Sequence, residues 1–398
     1  MGKARKIRGD KVIWIVVFLL ALISVISVYT SSSIGAYDSG KSLTGYLIKQ
    51  LFFVLLGIAA IFACYKIPLG VYRKSSILLL IVSCTLLIYV IFKGMVLNHA
   101  ARWINIFGIS FQPSELTKIA LVLYLARTLE TTKFDTFKQF VLKIIVPVGI
   151  TIILTLYGSA SAAILMTFTT AIILFCSTIN RKYILWTVGI GLVCIGLIFA
   201  IHSLTGAFPR LDTFTGRIER HSIKNEENLS DEKRIEYNAL KYQSDQAIEA
   251  IQLGQLTGRG PGNSIKRNTL PNSSSDFIYS IIVEEWGLIG GMIIIMLYLW
   301  FFYRCLFIAR FCKKIFSMIV VLGLSTQIIS QAFLHIYVNI NIAPVTGQTL
   351  PLISAGGTSM VIISCAFGII LSVNRTLEIT AEKEKQRQLE LEKEEQNG

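Results

Sequence analysis

The sequence predicts an all-α polytopic membrane protein, a bundle of about ten transmembrane helices with a large extracytoplasmic loop before the eighth. Three observations carry that prediction. The 398 residues are 53% hydrophobic and only 16% charged, whereas soluble domains carry roughly 25% charged residues. Too few polar side chains exist to cover a water-facing surface. Ten apolar runs recur along the chain, each close to the roughly 17–25 residues that cross a hydrocarbon core. Lysine and arginine concentrate in alternate short loops, as the positive-inside rule requires. A water-soluble enzyme and a disordered chain are both excluded.

The apolar runs lie at about 12–30, 46–65, 75–92, 114–129, 141–157, 160–177, 183–202, 277–303, 315–338 and 351–373. Backbone groups in lipid must be satisfied within their own segment, so runs of this length read as helices. The first follows Lys3, Arg5, Lys6, Arg8 and Lys11. It is longer than the roughly 7–15 residues of a secretory h-region and reads as an anchor. With the N-terminus inside, the inner loops hold Lys66, Arg73 and Lys74, then Lys133, Lys138 and Lys143, then Arg181 and Lys182, then Arg304, Arg310, Lys313 and Lys314. The short outer loops hold only Lys41, Lys49, Lys93 and Arg102. Both termini are therefore expected in the cytoplasm and residues 203–276 outside. Within that outer segment, Asp231 to Leu253 has helical spacing, with Ile235, Tyr242, Ile248 and Ile251 on one face, and reads as a solvated interfacial helix. Residues 1–373 form the expected membrane domain, and the Glu/Lys/Arg-rich residues 374–398 a cytoplasmic helical tail.

The net charge of +14 sits largely on the N-terminal segment and inner loops. It is a topology signal, not the clustered basic face of a nucleic-acid binder. None of the seven cysteines lies in an outer segment, which implies no disulfide framework. Four histidines without a C-x-x-C give a zinc site little support.

Three outward stretches interrupt the apolar pattern, and ionisable groups at membrane level are functional candidates by default. The first runs from Asn98 through Arg102 and Trp103 to Asn105, then through Gln112, Pro113, Ser114, Glu115 and Lys118. Pro113 suits the first turn of a helix. Glu115 and Lys118, three apart, can pair on one face. The alternative is a polar cavity in which Arg102 and Lys118 meet an anionic ligand such as a pyrophosphate. The second stretch holds Gly258, Gly260, Gly262, Ser264, Lys266 and Arg267, then Asp276, Glu284 and Glu285. Its glycines lack the P-loop order and suit a turn. Asp276, at the mouth of the eighth helix, reads by itself as a helix cap. The third stretch, Pro344 to Ser359, includes Thr346, Gln348 and Ser354, and its two prolines and three glycines make a broken segment. Irregular backbone at that depth must be buried or line a cavity. One outward-facing polar cavity is the economical reading of all three.

Ala101-Arg102-Trp103, Phe111-Gln112-Pro113-Ser114-Glu115-Leu116 with Lys118, the Gly258–Gly287 stretch and Pro344–Ser359 together resemble the SEDS family of bacterial cell-wall proteins, the FtsW/RodA/SpoVE group. The resemblance covers nearly the whole chain, and the Gln348 and Leu352 context with the charged tail looks more like the FtsW branch. It implies a glycosyltransferase that polymerises glycan strands from lipid II outside the cytoplasmic membrane, in cell division. It also implies a nascent glycan strand as acceptor, a class B penicillin-binding protein and other divisome membrane proteins as partners, and no nucleic acid. No resident cofactor is implied, although a divalent cation can accompany the pyrophosphate.

The family's essential aspartate matches Asp276, which displaces the cap reading and makes it the expected general base. Arg102, Lys118, Lys266 and Arg267 become candidates for the anionic leaving group. Trp103, Gln112, Ser114, Glu115, Ser264, Glu285, Thr346 and Ser354 complete the expected substrate site. Three departures stand out. His99 replaces the family's turn glycine, Tyr157-Gly158-Ser159-Ala160-Ser161 replaces Pro-Asp-Leu-Gly-Thr, and His335 stands where an asparagine is usual. The second removes the acidic partner of Lys118 and leaves Glu115 as the nearest substitute. A lipid-precursor flippase and a non-catalytic divisome scaffold are the competing classes.

Overall fold

The computed structural model describes residues 8–31, 43–97, 100–106, 109–205 and 231–397. Asn98, His99, Lys41 and the basic residues Lys3, Arg5 and Lys6 lie outside the described residues. Each expected run contains a helix: α1 (Lys11–Ser31), α2 (Leu43–Lys66), α3 (Leu69–Lys93), α4 (Pro113–Thr131), α5 (Phe137–Gly158), α6 (Ala160–Cys176), α7 (Arg181–Thr205), α9 (Ile278–Arg310), α10 (Ile315–Asn339) and α11 (Thr358–Asn397). Helix α8 spans Asp231–Gly254. Seven helices among the described residues, α1, α2, α3, α5, α9, α10 and α11, are long and apolar enough to cross a membrane. This is a multi-pass membrane protein.

Local chemistry sets the ends. Asp10 caps α1, its Oδ1 accepting from the backbone N–H of Val12 and Ile13 at 2.9 and 3.2 Å. Pro113 starts α4, where its missing N–H costs nothing. In α5 the π turn Val141–Ile145 widens the helix just before Pro147. Ser159 joins α5 to α6 in extended conformation, and its hydroxyl accepts from the Ala162 N–H at 3.3 Å.

The structure corrects three sequence expectations. A small antiparallel meander, β1 (Met95–Leu97), β2 (Ala100–Ile106) and β3 (Ile109–Phe111), lies between α3 and α4 in an otherwise helical fold. The tenth helix starts at Thr358, not 351, because residues 340–357 are irregular. It then continues unbroken for 40 residues through the charged tail. Finally, α8 is not simply solvated. Among the side chains described, its buried residues are Ala247, Ala250 and Gly254, while Ile248 and Ile251 are half-buried and Tyr242 is exposed. Small residues are needed because α8 meets α9 closely: a Cβ on Gly254 would collide with the Val283 carbonyl.

The core runs between the two ends of the bundle and includes Leu121 and Leu125 of α4, Phe301 of α9, Val320 and Leu324 of α10, and Phe367 of α11. Phe301 and Phe367 pack with their rings tilted by 44°, centroids 4.6 Å apart. On α2 and α11, Gly57 faces Ser364, and Gly368 faces Ile61 and Cys64, which lets the two backbones approach.

Helix α9 is broken at Gly287, which has φ 71°. The break frees backbone groups, and the glycine loop after α8 takes them up. The Arg259 and Gly260 N–H groups donate to the Glu284 and Glu285 carbonyls at 3.0 and 2.9 Å, and the Leu288 and Ile289 N–H groups donate to Gln255 and Leu256 at 2.9 and 3.3 Å. A Cβ on Gly258 or on Gly287 would strike the opposing backbone. The loop is thus a plug for a broken membrane helix, not a phosphate cradle.

Candidate active site

A cavity of about 400 Å³ opens where the three polar stretches meet, within the size range of small-ligand sites. Among the described residues its wall consists of Val28 of α1, Tyr46, Lys49, Gln50 and Phe53 of α2, Trp103, Ser110, Gln112 and Glu115 from the meander and α4, Ser274–Asp276, Gly347–Thr349, and Ala355–Thr358. The three stretches share one polar cavity, as expected from the sequence, with α2 as an additional wall.

Asp276 reaches this cavity by a heavily tied turn. Asn272, with φ 54°, folds the chain so that its carbonyl accepts from the Ser275 and Asp276 N–H groups at 3.1 and 3.0 Å. Three successive carbonyls are then held from outside. Ser274 accepts from the Ala355 N–H at 2.9 Å, Ser275 from the Ser354 hydroxyl at 2.7 Å, and Asp276 from Asn339 Nδ2 at 3.2 Å. Next in sequence, Phe277 is buried among Ala247, Leu270, Ile281 and Val338. The N-cap of α9 is Phe277, without a side-chain cap, so Asp276 does not hold the cap position.

Lys118 lies behind the wall. Its Nζ pairs with Glu115 Oε1 at 2.8 Å and donates to Gln331 Oε1 at 2.5 Å, and both side chains of the pair are buried. Gln331 in turn donates to the Thr349 carbonyl on the cavity wall at 3.0 Å. Glu115 therefore replaces the missing acidic partner of Lys118. Sequence spacing identified that pair, but not Gln331.

Of the expected site residues, Asp276, Trp103, Gln112 and Glu115 line the cavity. The backbone of Arg102 lies beside Trp103 in β2, and its side chain lies outside what is described. The others have positioning or packing roles. Ser114 accepts from Gln112 Nε2 at 3.0 Å. Ser354 holds the Ser275 carbonyl, as above, and Thr346 is buried next to Gly347. Ser264, Lys266, Arg267 and Glu285 form a second cluster that does not contribute to this wall. There Glu284 accepts from the Ser264 hydroxyl at 2.5 Å and the Ile265 N–H at 2.7 Å, and Lys266 pairs with Glu249 at 2.6 Å. Arg267 donates to the Thr30 carbonyl at 3.1 Å, and the Thr30 hydroxyl to Glu285 at 2.9 Å. The reason is topological: α8 brings Glu249 to Lys266, and α1 brings the Thr30 carbonyl to Arg267.

Sequence reasoning missed Lys49, Gln50, Gln331 and Asn339. A signal for the last two existed. Gln327, Gln331, His335 and Asn339 recur every fourth residue and are all buried, which makes one polar stripe on an apolar helix. His335 Nδ1 lies 2.8 Å from the Gln348 carbonyl, and Gln327 accepts from the Thr169 hydroxyl at 2.9 Å. The broken segment is held in the same way, since Ser24 and Tyr298 donate to the Ile353 and Pro351 carbonyls at 2.8 and 2.5 Å.

A second cavity of about 900 Å³ lies at the other end of the bundle, lined by Asp10, Arg73, Glu130, Arg304, Lys313, Lys314 and Arg375 with Phe307 and Phe311. Its acids are engaged: Asp10 with Arg304, Glu130 with Arg73, Glu384 with Lys313, and Glu378 with the Gly9 N–H. Among the described residues no group of three or more His, Cys, Asp or Glu side chains is arranged to hold a metal ion.

Comparison with known proteins agrees with this architecture. The chain is 30% identical over 387 residues to a probable peptidoglycan glycosyltransferase FtsW of Enterococcus hirae, covering 92% of this chain and 93% of that one. It is 27% identical to the stage V sporulation protein E of Bacillus subtilis, covering 93% and 98%. A chain solved for the structural coordination of polymerization and crosslinking by a peptidoglycan synthase complex superposes with a TM-score of 0.69 at 21% identity, covering 93% of this chain and 98% of that one. The rod shape determining protein RodA of Thermus thermophilus does so at 0.65 and 19%, covering 92% and 97%. With a family model described as "Cell cycle protein" matching residues 10–379, the chain belongs to the FtsW/RodA/SpoVE family.

Proposed function

We propose that this protein is a peptidoglycan glycosyltransferase that polymerises glycan strands from lipid II at the outer face of the cytoplasmic membrane during septal wall synthesis. The observation that carries this reading is Asp276, presented on a polar cavity by three fixed backbone carbonyls. A sugar hydroxyl is a poor nucleophile, and a positioned carboxylate assists by taking its proton as attack develops. The acceptor 4-hydroxyl bonds to the anomeric carbon of the donor, and the bond from that carbon to the pyrophosphate oxygen breaks. Asp276 takes the hydroxyl proton, and the pyrophosphate leaves with the bonding pair. Such a leaving group departs without protonation, so one carboxylate suffices where glycoside hydrolysis uses two. A divalent cation would be held by one carboxylate and the substrate's own phosphates.

The named activity of the Enterococcus relative supports this reading. The superposition on a chain from a peptidoglycan synthase complex supports a class B penicillin-binding protein as partner, with other divisome membrane proteins beside it. Lys66, Arg73, Lys313 and Lys314 all lie at the end of the bundle away from Asp276, which supports cytoplasmic termini.

One observation favours a flippase: the second cavity at the basic end. Between the two cavities, however, the turns of α4, α10 and α11 are filled by Leu121, Leu125, Leu324 and Phe367, and a polymerase accounts for Asp276 where a translocation path does not. The deciding experiment is lipid II polymerisation by the purified chain with its partner, wild type against Asp276→Ala, alongside lipid II translocation in liposomes. Loss of polymer in the variant supports the polymerase. Undiminished polymer in the variant overturns the role of Asp276, and translocation without polymerisation overturns the polymerase.

A further inference from the structure

We infer that Lys49 is the cation that receives the departing pyrophosphate, an inference that rests on the polymerase reading above. The leaving group gains negative charge as the anomeric bond breaks, so the site needs a positive group aimed at it. Three of the four expected cations are committed elsewhere. Lys118 is buried against Glu115 and Gln331, Lys266 is paired with Glu249, and Arg267 is turned to the Thr30 carbonyl. Among the described residues, Lys49 is the one Lys or Arg side chain on the wall it shares with Asp276.

Lys49 is also exposed, so its ammonium is available to a ligand. Its position is fixed from below. Gln50, the next residue, is buried and donates to the Ser24 hydroxyl at 2.7 Å, and Ser24 donates to the Ile353 carbonyl at 2.8 Å. That chain of bonds ties this turn of α2 to α1 and to the broken segment whose Gly347–Thr349 and Ala355–Gly357 residues form the facing wall. An ammonium is a compact point charge suited to a phosphate oxygen. The ligand class is a diphosphate esterified to a lipid, with Asp276 serving the hydroxyl and Lys49 the phosphate.

The test uses the full chain with its transpeptidase partner, initial rates of lipid II polymerisation, and inhibition by added undecaprenyl pyrophosphate. Lys49→Gln is expected to lower kcat/KM by about 100-fold, the order found when one transition-state donor is removed, and to weaken inhibition by the added pyrophosphate at least about tenfold, as loss of a charged contact does. Lys49→Arg, which keeps the charge, should recover most of both. Because the side chain is exposed, thermal unfolding should match wild type. Wild-type rates in Lys49→Gln, equal damage in Lys49→Arg, or an effect found in Arg102→Gln instead would overturn the assignment. Asp276→Asn separates the two levels. If it retains full polymerisation, the base role of Asp276 that carries the polymerase reading fails. If it is inactive while Lys49→Gln is normal, only the role of Lys49 falls.

Discussion

Asn339 donates its side-chain amide to the Asp276 carbonyl at 3.2 Å, while its amide oxygen accepts from both the N–H and the hydroxyl of Ser280, at 3.0 and 2.8 Å. One buried side chain on α10 thus fixes the residue that carries the proposed chemistry and the first turn of the helix after it. Its second amide hydrogen goes to the His335 carbonyl at 2.8 Å, which locks the amide orientation.

Replacing Asn339 by Leu leaves the Ser280 N–H and the Asp276 carbonyl without partners, each at a cost of roughly 1–3 kcal/mol when buried. Polymerisation is expected to fall at least about tenfold with little change in donor KM, because a misaimed base lowers the chemical step. Steady-state kinetics checks this, and an unchanged kcat would remove Asn339 from the positioning set.

Breaking the Glu115–Lys118 pair should be far worse than deleting it. Lys118→Met strands a buried carboxylate whose Oε2 already has no hydrogen-bond partner, an effect of about 3–5 kcal/mol. The double change Glu115→Gln with Lys118→Met restores most of that loss. Thermal unfolding in detergent reads the order: wild type above the double variant, and the double above the single.

Gly287→Ala and Gly258→Ala should each destabilise the plugged break in α9, since both glycines have positive φ and face opposing backbone. Gly70, with nothing near its virtual Cβ, is the control, and Gly70→Ala should be neutral or slightly stabilising. Comparable melting of all three variants would refute the plug.

Asp10 both caps α1 and pairs with Arg304. Asp10→Ala should cost about 1 kcal/mol for the cap and additionally strand Arg304 at the second cavity, whereas Asp10→Asn keeps a capping oxygen and should lose less. Melting temperatures of the two variants rank them.

Much of the architecture was legible because the membrane imposes a one-dimensional rule. A helix must be long, apolar and satisfied within itself, and such runs can be read directly along the chain. Pro113, the Glu115–Lys118 spacing and the broken 344–359 segment were legible for equally local reasons. The meander of residues 95–111 was not, because three-residue strands such as β1 and β3 are too short to show periodicity. The buried face of α8 was missed because close packing selected Ala247, Ala250 and Gly254 over Tyr242.

By itself, then, the sequence determined the membrane class, most of the helix positions and the family resemblance, and it singled out Asp276 as the candidate base. Only the tertiary structure decided which charged residues meet. Lys118, Lys266 and Arg267 all looked available to an anion, yet each is taken up by a partner: Lys118 by Gln331, 213 residues away, as well as by its neighbour Glu115, Lys266 by Glu249 and Arg267 by Thr30. Lys49 looked like a loop charge and stands on the cavity wall. The physical reason is that a buried charge must find a partner wherever the fold supplies one, and long-range pairing leaves no periodic trace along the chain.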